Sequence, residues 1–179
     1  MSIRLVPVAL EHAPAIQMLA CDPRIAATTN VPSPYPPDGA ATWIRFTMAQ
    51  RELGSEMNFA IFDGGTLVGV CGVLAMNVDT GDGPSRDGVV GYWIGVPYWG
   101  QGYATAAATE LLRVAFEEKD LGKLRSACLV RNPASRRVLE KVGFRFIGYG
   151  SHPASKWTID DRFAMFELTK DEWRAVTRR

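Results

Sequence analysis

The spacing of apolar residues changes along the chain, and the changes mark out its elements. Alternating or continuous apolar runs predict strands over residues 3–6, 57–62, 67–78, 89–96, 123–130, 144–149 and 159–168. Helical spacing predicts helices over 11–20, from an N-cap at Asp38 to 53, over 103–118, and from Asn132 to a stop at Lys141-Val142-Gly143. Pro14 fits the first helix only near its start. Asp63-Gly64-Gly65 reads as a hairpin turn between two strands. Five prolines, at 23, 32, 34, 36 and 37, make residues 21–38 a long irregular loop, and residues 79–87 form a polar loop rich in Gly and Asp. Mostly antiparallel strands come first and strand–helix–strand units follow. That order predicts an α+β fold, a mixed sheet with helices on both faces, and a single domain spanning 1–179 without repeat or linker.

Composition narrows the function classes. Hydrophobic residues make up 47% and charged residues 22%, with a net charge of +1, so only Arg178 and Arg179 hint at a basic tail. Direct nucleic-acid binding is not expected. No apolar run is long enough to span a membrane, and Met1-Ser2-Ile3-Arg4-Leu5-Val6 lacks the apolar core of a signal peptide. Cys21, Cys71 and Cys128 are scattered and odd in number, which fits buried thiols in a reducing, cytoplasmic setting. His12 and His152 have no ligand-spaced neighbours, and loop 79–87 lacks the glutamate and spacing of a calcium loop. No metal is expected.

The candidate chemistry gathers after residue 88. In Gly91-Tyr92-Trp93-Ile94-Gly95-Val96-Pro97-Tyr98-Trp99-Gly100-Gln101-Gly102-Tyr103-Ala104, a strand runs into a glycine turn and then an alanine-rich helix. Such a turn aims several backbone N–H groups and the positive end of a helix dipole at one point, a site for a pyrophosphate. The third glycine of a dinucleotide fingerprint and the Gly-Lys-Ser/Thr of a P-loop are both missing. Asn132-Pro133-Ala134-Ser135 opens the next helix. Asn132 suits an N-cap and Pro133 the first helical position, while the Ser135 hydroxyl is placed to face the same crevice.

Together with Leu139-Glu140-Lys141-Val142-Gly143-Phe144 and Thr169-Lys170-Asp171-Glu172-Trp173, these motifs resemble the GNAT acetyltransferase superfamily. The branch that looks nearest contains the ribosomal-protein N-terminal acetyltransferases. The resemblance covers nearly the whole chain and is densest from Gly91 to Phe144. It implies a strongly twisted, mixed but mostly antiparallel sheet of about seven strands flanked by helices on both faces. It also implies acetyl-CoA as donor, with Trp99, Gly100, Gln101, Gly102, Tyr103 and Ala104 holding its pyrophosphate. Ile94, Gly95 and Val96 would pair with the pantetheine, Asn132 would hydrogen-bond it, and Ser135 would face the sulfur. The phosphate motif of the superfamily usually begins with Gln or Arg, where this chain has Trp99; the contacts that count there are main-chain. A homodimer is an expectation at family level.

The expected reaction is direct attack of a primary amine on the thioester through a tetrahedral species, aided by proximity and by backbone donors near Val96. The family often places a glutamate on the strand before Gly-Tyr-Trp, where this chain has Gly88-Val89-Val90. Asp87, acting through a water, and His152 are the candidate bases, and Ser135 the group that orients or protonates the leaving thiolate. Tyr92, Tyr35 and Trp93 read as cleft wall or core. A missing strong base favours a weakly basic acceptor, so a protein or peptide N-terminus is expected. A small-molecule amine acceptor and a catalytically silent CoA-binding module are the alternatives.

Overall fold

Seven strands hydrogen-bond into one sheet, in the order β1-β2-β3-β4-β5-β7-β6. The computed structural model describes residues 2–76, 86–152, 156–158 and 160–177. The strands are β1 (Ile3–Pro7), β2 (Met57–Asp63), β3 (Thr66–Leu74), β4 (Asp87–Ile94), β5 (Lys123–Leu129), β6 (Arg145–Gly150) and β7 (Phe163–Thr169). Every neighbouring pair is antiparallel except β4 with β5. The helices are α1 (Ala13–Ala20), α2 (Pro23–Ala26), α3 (Gly39–Glu52), α4 (Tyr103–Arg113), α5 (Pro133–Lys141) and α6 (Lys170–Thr177).

Two apolar clusters, one on each face, hold the sheet between helices. On one face Ile16 and Leu19 of α1 and Ile44 of α3 pack on Ala60 and Val70. On the other, Leu111 and Leu112 of α4, Leu139 of α5 and Trp173 of α6 pack on Ile61, Val73, Leu124 and Phe166. A bulge makes both possible. The β2–β3 register slips between Ile61 and Phe62, so Val68 is the extra residue. Side-chain parity therefore inverts: Leu67 and Val70 face the first cluster, while Val68, Cys71 and Val73 face the second.

Several sequence expectations shift. The last strand begins at Phe163, because residues 160–162 form a turn and irregular chain; Ile159 lies outside the described residues. The third strand ends at Leu74, and most of loop 79–87, together with Arg178 and Arg179, also falls outside them. Within the proline-rich loop, Asp22 caps the four-residue α2 by accepting the Arg24 N–H at 3.0 Å. A helix that short leaves no periodic trace. Asp38 does not cap α3 with its side chain. Gln17 of α1 does that work, its Oε1 accepting the Ala40 N–H at 3.0 Å while its Nε2 donates to the Pro36 carbonyl at 2.8 Å. The expected helix over 103–118 is α4 followed by a wider π turn over Val114–Glu118.

Helix α5 ends as expected. Gly143 sits at φ +100°, the Phe144 N–H donates to the Leu139 carbonyl at 3.0 Å, and the Gly143 N–H to that of Glu140 at 3.2 Å. Leu139 is wholly buried and is the apolar anchor of this helix. Leu139→Ala is expected to lower stability by about 2–5 kcal/mol, read as a fall in the urea midpoint at unchanged slope.

Candidate active site

The parallel pair β4–β5 lasts for three residue pairs, Asp87↔Lys123, Gly88↔Leu124 and Val89↔Arg125. Beyond them β4 follows β3 as far as Gly69↔Ile94, and β5 follows β7 as far as Leu129↔Phe163. The sheet thus opens as a wedge towards the carboxyl ends of β4 and β5. Ser126 closes its apex, its hydroxyl donating to the Val90 carbonyl at 3.0 Å. The Gly95 N–H donates to the Val68 carbonyl at 2.8 Å. Backbone groups alternate along an antiparallel pair, so the N–H and C=O of Val90, Tyr92 and Ile94 point away from β3 and into the wedge. That wall can pair with an extended ligand as a further strand would. Gly69 lets β3 come this close: a Cβ there would lie 2.3 Å from the Trp93 carbonyl oxygen.

At the mouth of the wedge the chain turns into α4. A single 3-10 turn, Val96–Tyr98, leads to Trp99 in extended conformation. Gly100 and Gly102 then adopt φ of +75° and +86°, the left-handed region that favours glycine. No side chain caps α4. Its first-turn N–H groups therefore point outward with the positive end of the helix dipole behind them. Two contacts fix the turn. The Trp99 indole N–H donates to the Ile94 carbonyl at 2.6 Å, and the buried Tyr103 hydroxyl donates to Asp63 at 2.6 Å. Gln101 folds back to donate to the Pro97 carbonyl at 3.2 Å. Ile94, Gly95, Val96, Trp99, Gly100, Gln101, Gly102, Tyr103 and Ala104 thus follow one another from the end of β4 through the turn into the start of α4.

Helix α5 supplies the facing wall. The Asn132 Oδ1 accepts the Ser135 N–H at 3.2 Å, which turns the amide nitrogen of Asn132 the other way. The Ser135 hydroxyl lies 3.0 Å from the Tyr92 hydroxyl, which is also 3.2 Å from the Ser135 carbonyl. Tyr92 therefore bridges the wedge from β4 to α5. Burial pushes the Tyr92 phenol far above the ordinary tyrosine range. It also raises the Cys128 thiol, against the opposing pull of Arg136 and of a hydrogen bond with Ser135.

The two candidate bases lie at opposite ends of the wedge. Asp87 is at the closed end, 3.3 Å from the Lys123 ammonium. Tyr92, which touches Ser135, is about 17 Å further along β4 at some 3.3 Å per residue. Asp87 and Ser135 are not brought together. Gly88 occupies the region where a glutamate was sought, and a Cβ there would lie 2.4 Å from Val73 Cγ1. His152 follows β6 at the open end. Its ring packs on Phe163, the partner of Leu129, with centroids 5.2 Å apart, and its Nε2 lies 3.5 Å from Asn30 Nδ2. Burial lowers the His152 pKa below its ordinary 6.5.

Beside His152, residues 156–158 and 160–162 are strapped to the α2 loop. The Lys156 ammonium donates to three carbonyls, those of Ala26, Thr29 at 2.8 Å and Val31 at 2.6 Å. The Trp157 indole donates to Asn30 Oδ1 at 2.7 Å, and Arg131 pairs with Asp161. Desolvation lowers the Lys156 pKa. Neither this strap nor the Tyr92–Ser135 contact was expected from sequence. Tyr92 shares its strand face with buried Val90 and Ile94, a signal that was present; the strap joins segments more than a hundred residues apart, with no local pattern. Among the described residues no group of His, Cys, Asp and Glu could hold a metal ion.

The family model described as the acetyltransferase (GNAT) domain matches residues 2–145. YdaF of Bacillus subtilis (strain 168), whose name assigns it provisionally to ribosomal N-acetylation, is 31% identical over 105 residues. That match covers 58% of this chain and 56% of YdaF, so the chain spans just over half the length of that relative. FsC-acetyl coenzyme A-N(2)-transacetylase of Aspergillus fumigatus is 28% identical over 181 residues, with 96% of this chain and 75% of that protein covered. The structure of Mycobacterium smegmatis RimJ in complex with CoA-disulfide superposes with a TM-score of 0.81 at 21% identity, over 98% of this chain and 90% of RimJ. With the family model matching residues 2–145, across the splayed strands and the uncapped glycine turn, the chain belongs to the GNAT acetyltransferase family of acetyl-CoA-dependent acyltransferases.

Proposed function

We propose that this chain moves an acetyl group from acetyl-CoA to the α-amine of a protein or peptide N-terminus. The observation that carries the choice of acceptor is the charge of the strap. Lys156, Arg131 and Arg162 are nearly offset there by exposed Asp160 and by Asp161, whose carboxylate is held below the usual range by the Thr158 N–H and by Arg131. A polycation finds no acidic surface to draw it to this wall, whereas one weakly basic amine needs none. A small-molecule amine is the second reading, favoured by the similarity to the FsC transacetylase across 96% of this chain. A cytoplasmic setting goes with either acceptor; among the described residues no helix is long and apolar enough to cross a membrane.

In this reading the residues divide the work by position. The N–H groups from Trp99 to Ala104 bind the pyrophosphate, and the wedge-facing edge of Tyr92 and Ile94 orients the pantetheine as a paired strand. Asn132, its Oδ1 spent on the cap, offers its amide nitrogen to the same arm. The Ser135 hydroxyl donates to the leaving sulfur. Backbone donors near Val96 serve the developing oxyanion. His152 takes the proton of the attacking amine on Nε2, giving up the long contact in which that nitrogen accepts from the Asn30 amide. An α-amine titrates near about 7.7–8.0 and a lysine near about 10.4, so a modest base suffices only for the first.

Purified protein with acetyl-CoA is expected to release CoA with N-terminal peptides at a kcat/KM at least tenfold above lysine peptides, polyamines or free amino acids. Turnover confined to a small amine would replace the proposal with the second reading, and silence across the panel despite acetyl-CoA binding would mark a silent module. His152 is neutral above its lowered pKa and protonates as pH falls through it. With kcat/KM expressed per neutral amine, so that the acceptor's own titration is divided out, the acid limb is expected below pH 6.5, and to disappear in His152→Gln with about 10²-fold lower activity. An unchanged limb in that variant would remove His152 from the chemistry.

A further inference from the structure

We infer that Tyr92 is a positioning residue for the leaving sulfur: its hydroxyl, within reach of both oxygens of Ser135, aims the Ser135 hydroxyl proton into the wedge. The inference rests on the assignment of Ser135 to the sulfur made above.

Geometry restricts what Ser135 can do. Its N–H is committed to Asn132, and its place in the first turn of α5 fixes the backbone. The remaining freedom is the direction of its O–H bond. Tyr92 biases that direction, beside the Cys128 thiol that also hydrogen-bonds Ser135, because it carries one proton and faces two acceptors, Ser135 O at 3.2 Å and Ser135 Oγ at 3.0 Å. When the phenol donates to the carbonyl, its oxygen accepts the Ser135 proton and the serine points away from the sulfur. When the phenol turns onto Oγ, the Ser135 proton has to leave that axis and is free to meet a thiolate. Donation from Tyr92 also polarises the serine hydroxyl, making it a better donor to an anion.

The phenol remains protonated throughout. Its burial favours the neutral form, so Tyr92 is a constant donor and never the final acid. No proton leaves the Tyr92–Ser135 pair. The thiolate is stabilised by hydrogen bonding, and the proton that later neutralises it is the one His152 took from the acceptor amine and then releases.

The test reads affinity for CoA by calorimetry over the thiol titration range, roughly pH 7 to 10. Desulfo-CoA, which lacks the sulfur, is the control ligand. Donors facing the sulfur lower the pKa of the bound thiol, so wild-type affinity for CoA should rise with pH while that for desulfo-CoA stays level. In Tyr92→Phe the rise should shrink, with about tenfold weaker CoA binding at the alkaline end and unchanged desulfo-CoA binding. Ser135→Ala should abolish the rise. In turnover, Tyr92→Phe should lower kcat at a nearly constant KM for acetyl-CoA.

If Tyr92→Phe matches wild type at every pH while Ser135→Ala is impaired, the role of Tyr92 is refuted and that of Ser135 stands. Equal weakening for both ligands would make the hydroxyl a structural staple across the wedge, which also overturns the inference. Wild-type behaviour in Ser135→Ala would remove both assignments together.

Discussion

A parallel strand pair that parts after three residue pairs must still satisfy the backbone groups it uncovers, because buried N–H and C=O groups without partners are costly. The wall of β4 shows how this is managed. Ser126 reaches across to the Val90 carbonyl at the apex, and the Trp99 indole takes the Ile94 carbonyl at the mouth. Between them lies the Tyr92 backbone, and the Tyr92 side chain props α5 away from β4 by holding Ser135. The wedge is therefore a braced opening, and the edge left open is the part between the two braces. The glycine turn and the cap of α5 acquire their meaning from it, since both stand at the carboxyl ends of strands that have stopped pairing.

The elements that were legible in the sequence are those whose chemistry is local. Gly100 and Gly102 announce a left-handed turn, and Asn132-Pro133 announces a helix start, because each residue type meets a backbone need within a few positions. Leu139, Gly143 and Phe144 spell a helix stop for the same reason. Asp38 shows where local signals mislead: it has the chemistry of an N-cap, yet a glutamine from another helix performs the task. Helix α6 went unrecognised because its buried contact is one residue, Trp173, packed on Phe116 at 5.3 Å. A single apolar residue sets no period.

The site was legible in the same uneven way. A left-handed turn leaves its mark in glycines, so the turn from Trp99 to Ala104 could be read directly. The Asp87 candidate rested on adjacency in sequence, and strand geometry carries it to the far end of the wedge, against Lys123. Tyr92 was visible as part of a motif, but a tyrosine on a strand does not disclose which partner its hydroxyl finds across a gap. Packing explains one position of the carboxylate-free stretch, since Val73 fills the space beside Gly88, while Val89 next to it is exposed.

The Lys156 ammonium has a consequence for how such a protein can diversify. It is satisfied by carbonyls of Ala26, Thr29 and Val31, which belong to a segment far away in the chain. Carbonyl oxygens cannot be mutated one at a time; only the path of the backbone that presents them can change. The shape of this wall is therefore inherited as a matched pair, a lysine and a loop conformation. A lineage that reshapes this wall must alter both halves in concert, while the glycine turn before α4 is held by contacts of its own.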